Sequence, residues 1–397
     1  MASVLIEPAT VMATEPHVGP TARIEEFLRT ARRETPFLVV DLDVVATRYV
    51  QLVDSLPGVD VFFAVKANPA PEILELLVGL GANFDVASIG EIDACLAAGA
   101  DPTRLSFGNT VKKRTAIRDA YARGVRIFAF DSEEELDKLI DLAPGATVFC
   151  RILCDGSGAD WPLSRKFGCD PELALSLLLR AARAGLEVGM SFHVGSQQRD
   201  PWAWDRVLAL VADQFAALRA EGVEPAVVNI GGGFPGHYVG DVPATVSYGA
   251  AITESIARRL GPDVPRVIAE PGRYLVADAG LIRTEVVTVA RKSRFDEQRW
   301  VYLDIGLFGG LAETLGEAIR YRIRTPHDGL PVGPVVLAGP TCDSADVLYE
   351  RADYHLPLAI AAGDQVDLLS AGAYTATYST VGFNGCPPLR TYSLAAR

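Results

Sequence analysis

At 397 residues, the chain is long enough for two domains, or for one large barrel with a smaller module; its 49% hydrophobic and 22% charged content argues against extended disorder. A formal charge of −13 with no basic patch argues against nucleic acid as a partner, and no apolar run reaches the ~18 residues needed for a membrane span. The six cysteines (95, 150, 154, 169, 342 and 386) form no CxxC pair and have no metal-site spacing, so the expectation is reduced thiols, a cytoplasmic location and no metal.

Residues 1–20 lack the basic start and apolar core of a secretory signal and read as a loose tail. Ala22 to Arg33 has helical spacing, and Pro36 to Asp41 reads as a strand. A rhythm then begins. Strand-like runs at Val61–Ala67, Phe84–Ala87, Arg104–Phe107, Arg126–Phe130, Thr147–Leu153, Gly189–Val194, Ala226–Ile230 and Arg266–Ala269 alternate with helix-like segments. Most of the helical segments end on a glycine (99, 124, 185, 222, 261), and Ser132 with Glu135 spells a capping box. Eight such units over roughly 210 residues predict a closed (β/α)8 barrel. A doubly wound open sheet would show a Gly-rich loop after its first strand, and Lys66-Ala67-Asn68-Pro69 is not one. From about Tyr274 the pattern changes to β-like runs at Leu281–Val289, Trp300–Asp304, Val335–Ala338 and Val366–Leu369. The expected division is a barrel over 45–273 and an all-β module over 274–397 that also takes in residues 21–44.

In such a barrel the chemistry sits at the carboxyl ends of the strands. Lys66 ends a run of apolar residues, where an unpaired ammonium costs several kcal/mol. It therefore snorkels, pairs, lines a cleft or carries a carbonyl cofactor as a Schiff base. Asp85, Gly108-Asn109, Asp131, Arg151, His193 to Ser196, Gly231-Gly232-Gly233 and Glu270-Pro271-Gly272-Arg273 fall at the other strand ends. Packing does not predict so many polar groups at one end. The glycine triplet reads as a turn or as bare N–H groups for a phosphate, and His193 as a structural histidine or as a ring stacked on a flat ligand. Glu270 fits the carboxylate that a pyridine nitrogen needs to stay protonated.

Eight motifs in order then match a known family: Ala64-Val65-Lys66-Ala67-Asn68, Phe84-Asp85-Val86-Ala87-Ser88, Lys166-Phe167-Gly168, Phe192-His193-Val194-Gly195-Ser196, Gly231-Gly232-Gly233-Phe234-Pro235, Glu270-Pro271-Gly272-Arg273-Tyr274, Gly339-Pro340-Thr341-Cys342-Asp343 and Gly372-Ala373-Tyr374-Thr375. The chain resembles the group IV (fold type III, alanine-racemase-like) pyridoxal-phosphate-dependent decarboxylases. Asp304 to Glu313 is similar to the bacterial ornithine or lysine/ornithine form. The resemblance implies pyridoxal 5'-phosphate as cofactor, with Lys66 as its Schiff-base lysine, Glu270 beside the ring nitrogen and His193 on the ring face. It implies Ser196, Gly233 (with Gly231 and Gly232), Gly272, Arg273 and Tyr374 around the phosphate, and Asp85 and Arg151 as supporting groups. It further implies a homodimer with shared active sites. Cys342 would enter from the second subunit as a catalytic group and Asp343 would bind the substrate's distal amine, with Tyr374 also near the substrate. Lys166 would pair across the interface with Asp346. A second acid for the distal amine would be Glu313 or Glu317, and Asp155 to Asp160 resembles a mobile loop. The implied reaction is decarboxylation of L-ornithine to putrescine, and of L-lysine to cadaverine. Arginine or diaminopimelate decarboxylation, racemisation and a non-catalytic regulator are the alternatives. Diaminopimelate calls for a cationic clamp and a racemase for a tyrosine where Cys342-Asp343 stands, whereas a regulator would lack cofactor binding.

Overall fold

The computed structural model describes residues 19–30, 33–161 and 166–397, so the tail expected over residues 1–20 falls almost wholly outside the described residues. Eight parallel strands close into a barrel: β2 (Val59–Ala64), β3 (Asn83–Val86), β4 (Leu105–Phe107), β5 (Ile127–Phe130), β6 (Thr147–Arg151), β8 (Glu187–Ser191), β10 (Val227–Asn229) and β11 (Arg266–Ala269). β11 pairs back onto β2 to complete the ring. Side chains alternate along each strand. Phe62, Ile127, Ala129, Phe149, Val227 and Ile268 form a separate buried cluster that plugs the barrel, while neighbours such as Phe63, Phe128 and Val148 pack in the larger core with the surrounding helices.

The helices follow the expected segments, with glycines 99, 124, 185, 222 and 261 at their ends all at positive φ. Ser132 caps its helix by accepting from the Glu135 N–H, but Glu135 does not reach back. Its carboxylate pairs instead with Lys112 and Lys138, so only half of the capping box exists. The helix Leu42–Ser55, capped by Asp41, was not among the segments that the sequence pattern marks.

The second module is an eight-stranded sheet. β1 (Phe37–Asp41) enters it between β12 (Gly280–Ala290) and β18 (Arg390–Leu394), antiparallel to the first and parallel to the second. The rest is built from β13 (Arg299–Leu303), β14 (Ile323–Arg324), β15 (Val332–Ala338), β16 (Val347–Pro357) and β17 (Gln365–Leu369), in the order β14-β17-β12-β13-β15-β16. Two short strands, β7 (Ala159–Trp161) and β9 (Ser196–Gln198), pair above the barrel, so the Asp155–Asp160 segment is tied down at its far end.

The segment after β17 stitches the two modules together directly under the turn that carries Lys66. Tyr374 N–H donates to Ala67 O at 2.8 Å, Asn68 Nδ2 donates to Gly372 O at 2.9 Å, and Thr377 Oγ1 donates to Lys66 O at 3.3 Å. Gly372 lets the same segment pack against the chain that leaves the barrel, because a Cβ there would lie 1.9 Å from Val276 O. Gly372→Ala should therefore lower the unfolding free energy by about 1–3 kcal/mol, the usual cost of overpacking a filled site. Chemical denaturation followed by circular dichroism checks this, with an unchanged midpoint as the contrary result.

Candidate active site

Lys66, Asp85 and Glu270 leave three adjacent strands, β2, β3 and β11, while Arg151 and His193 leave β6 and β8 on the other side of the ring. All five line one cavity of about 450 Å³, together with Gly108, Asn109, Lys166, Phe167, Ser196, Gly233, Gly272, Arg273 and Tyr374. That volume lies in the range of a small-molecule or cofactor site.

Lys66 Nζ stands 3.6 Å from Asp85 Oδ2, and its side chain is 53% exposed into the open cavity even though protein surrounds it. Burial alone would lower its pKa, but the charges of Asp85, Tyr374 and Glu270 outweigh that and hold the ammonium above its ordinary value. The carboxylates show the reverse strain. Burial raises Asp85 despite Lys66 and Arg151. Burial, then the neighbouring Asp85 charge, pushes Glu270 up to about 8, against the pull of Lys66 and a hydrogen bond from Asn229 Nδ2. Gly108 lets the two acids come this close: a Cβ there would sit 2.1 Å from Asp85 Oδ1 and 3.4 Å from Glu270 Oε1.

His193 is held neutral, first by burial and then by the charges of Arg151 and Lys66. Its Nδ1 accepts the Gly195 N–H at 3.0 Å, which places the ring proton on Nε2 and fixes the ring's direction. Arg151 stacks over Phe167, with Cζ 5.1 Å from the ring centre, and Asp131 fastens the following turn by accepting the Gly168 N–H at 2.8 Å. Behind the Gly108–Val111 segment lies a second lysine, Lys112, wholly buried against Glu135 at 3.0 Å and donating to Asn109 O at 2.8 Å. Burial brings its pKa down to about 8.

One end of the cavity is built for an oxyanion. Ser196 and Tyr374 offer hydroxyls, Arg273 a guanidinium, and Gly233 and Gly272 bare backbone. A Cβ on Gly272 would lie 3.1 Å from Tyr374 Oη and 3.0 Å from Ala67 Cβ, so any side chain would fill the cradle. Gly231 and Gly232, expected to share this role, do not line the cavity. A Cβ on Gly231 would strike Phe192 O at 2.2 Å and one on Gly232 would strike Glu270 O at 2.5 Å, so these glycines let the strand ends of the barrel come together.

Four further expected residues are not brought to this cavity. Cys342 and Asp343 lie exposed on the loop after β15, with Asn384 Oδ1 accepting the Cys342 N–H at 2.9 Å. Glu313 is buried in a two-pronged pair with Arg273, both contacts at 2.6 Å. Glu317 points away from the cavity and accepts the Glu350 and Arg351 N–H groups at 2.9 and 2.7 Å. Both acids were candidates for reading a distal amine, and in both the carboxylate is already engaged within the chain. The same holds for Asp346, the expected partner of Lys166. It is buried, accepting from Leu307 N–H at 2.6 Å and from Thr341 N–H and Oγ1 at 3.1 and 2.7 Å, where it shapes the Cys342 loop. Asn229 and Tyr238 were missed. Asn229 bonds both Glu270 and the Gly231 N–H, and a polar residue at the end of the apolar run Val227-Val228 was the signal for it.

A half-exposed lysine, two acids of raised proton affinity, a neutral flat ring and an oxyanion cradle suit a ligand carrying a carbonyl, a basic ring nitrogen and a phosphate. Comparison with known proteins agrees. The family model described as "Pyridoxal-dependent decarboxylase, pyridoxal binding domain" matches residues 42–277. A lysine/ornithine decarboxylase of Selenomonas ruminantium is 38% identical over 358 residues, covering 89% of this chain and 88% of that protein. The structure of a lysine/ornithine decarboxylase from Vibrio vulnificus, complexed with putrescine, superposes with a TM-score of 0.82 at 31% identity, over 95% of this chain and 99% of that one. An arginine decarboxylase from Paramecium bursaria Chlorella virus gives 0.84 at 29% identity, over 94% and 100%.

The strain on Glu270 has a pH signature. Its folded pKa of about 8 lies above the ordinary 4.5, so between those values the cofactor-free fold keeps a proton that the unfolded chain has released. Stability attributable to this group therefore falls as pH rises through that window. The unfolding free energy of Glu270→Gln relative to wild type should climb from about pH 5 to about pH 8, with a slope no steeper than about 1.4 kcal/mol per unit. Parallel stability curves for the two proteins would contradict it.

Proposed function

The chain belongs to the pyridoxal-dependent decarboxylases, and on that premise we propose that it removes the α-carboxylate of L-ornithine, and also that of L-lysine, releasing putrescine or cadaverine. It is a carboxy-lyase of the ornithine/lysine type. The observation that carries the reading is Lys66 beside two carboxylates of raised proton affinity in one cavity, with an oxyanion cradle at its end.

Pyridoxal phosphate, when bound, supplies the ring that takes up the electrons of the breaking Cα–carboxylate bond. The chain's own groups do the rest. The Lys66 amine would hold the cofactor's carbonyl carbon and later yield it to the substrate amine. Ser196, Gly233, Gly272, Arg273 and Tyr374 would hold the phosphate. Glu270, whose proton affinity is raised, would pair with the protonated ring nitrogen and so keep the proton there. The neutral His193 would cover the ring face without adding a charge, and Asp85 would hold the Lys66 ammonium in register. Arg151 would lie near the ring hydroxyl.

In this proposal the enzyme is a homodimer with shared sites. Cys342 and Asp343 are exposed and do not line the cavity of their own chain, which supports their entering the second subunit's site. The Cys342 thiol would return a proton to the substrate's Cα. Asp343, held by its own bond from the Ala345 N–H at 2.9 Å, would face the distal ammonium. Ornithine and lysine differ by one methylene, worth only ~1–3 kcal/mol of discrimination, so both should turn over.

The direct test is amine and CO2 release with L-ornithine, L-lysine, L-arginine and meso-diaminopimelate offered separately. Putrescine and cadaverine, both lost in Lys66→Ala, are expected; agmatine alone would move the assignment to arginine. The shared site has its own test. Lys66→Ala and Asp343→Ala are each expected to be inactive, and mixing the two proteins in equal amounts should restore about a quarter of wild-type activity through mixed dimers that carry one intact site. With both variants inactive, no recovery after subunit exchange would place Asp343 in its own chain's site; an active Asp343→Ala would place it outside the chemistry.

A further inference from the structure

A guanidinium has five N–H donors, and every one of those on Arg273 is engaged within the chain. The end-on fork, Nη1 and Nη2, meets the two Glu313 oxygens at 2.6 Å each. Nη1 also reaches Tyr238 Oη at 2.9 Å. The side edge, Nε and Nη2, rests on the Ser196 hydroxyl at 3.3 and 3.1 Å. Only the side edge turns to the cavity, since Ser196 and Arg273 line it while Glu313 and Tyr238 do not. Arg273 and Glu313 are 3% and 7% exposed. A buried ion pair of this kind contributes little net stability compared with an apolar pair of the same size, so stability does not explain it. The two partners come from different modules: Arg273 follows β11 of the barrel, and Glu313 sits in the loop after β13 of the sheet.

We propose that Glu313 is a positioning residue of the phosphate site. By occupying the end-on fork of Arg273, it turns the Nε/Nη2 edge toward the phosphate, which takes over the donors now resting on Ser196. The Tyr238 hydroxyl, accepting from Nη1 at 2.9 Å, adds a further contact that holds the guanidinium in place. This rests on the reading above, in which the phosphate lies among Ser196, Gly233, Gly272, Arg273 and Tyr374. It also removes Glu313 from recognition of the substrate's distal amine, because its oxygens lie behind the arginine and already accept two charged hydrogen bonds.

Two ligands that differ only in the phosphate separate orientation from general damage. The full chain, wild type and Glu313→Gln, is loaded with pyridoxal phosphate or with pyridoxal, and dissociation of each is followed by absorbance. Wild type should prefer the phosphorylated form. In E313Q that preference should fall by about tenfold or more, while pyridoxal affinity stays within about twofold of wild type. Glu313→Asp keeps the charge but is one methylene too short to reach the guanidinium fork at hydrogen-bond distance, so its preference should fall as well; it carries the test if E313Q does not fold. A wild-type protein with no preference would overturn the phosphate site itself, and the role of Glu313 with it. An unchanged or increased preference in the variants, with wild type discriminating normally, would overturn only the role of Glu313. It would mean that the arginine's charge matters and its direction does not.

Discussion

Everything at the barrel mouth depends on one electrostatic constraint: Asp85 and Glu270 must share one cavity with the Lys66 ammonium. Burial opposes both charged acids and the charged lysine alike, and neither acid would be tolerated there without the other groups. The arrangement settles with Lys66 held as a cation and the two carboxylates strained toward their neutral forms. Burial is the main cause of that strain, and Lys66 and Arg151 offset only part of it. The site's geometry follows from small features: the missing side chain at Gly108, the Asn229 amide on Glu270, and the closure of β11 onto β2 that sets the three groups side by side.

The sheet module completes this site as well as extending the fold. Its Gly372–Thr377 segment supports the turn below Lys66 and brings in Tyr374 at positive φ, a strained backbone for a tyrosine that its bond to Ala67 O helps to hold. Its Glu313 reaches the barrel's Arg273. The loop after β15 shows Cys342 and Asp343 to the outside, with Asp346 as its internal brace. Both ends of the chain are needed to build the sheet, since β1 lies between β12 and β18. A barrel separated from this sheet would thus keep Lys66 but lose the partners that shape the Arg273 end of the cavity.

Much of the barrel was legible because its strands are short apolar runs and its helices stop at glycines that adopt positive φ, two local signals that do not depend on distant contacts. The helix Leu42–Ser55 escaped because Val44, Val45, Val50 and Val53 carry strand propensity, and only tertiary packing overrides it. β18 escaped for a related reason: Arg390–Leu394 is short and half-exposed, and its register comes from pairing with residues more than three hundred positions earlier in the chain. At the site, strand-end position located Lys66, Asp85, Arg151, His193 and Glu270. It could not say which way an acid in a Gly-rich loop faces. Glu313 reads the same whether it meets a substrate or an arginine. The glycine triplet likewise does not reveal which of its members approaches a ligand and which approaches another strand.

The central claim is that Lys66 is the residue to which the cofactor is joined. Reducing the cofactor-loaded protein with borohydride and mapping its peptides by mass spectrometry tests this without reference to any substrate. The account predicts a pyridoxyl group on the peptide containing Lys66. A label on the peptides carrying Lys112 or Lys166, or none on a protein that has bound the cofactor, would contradict it.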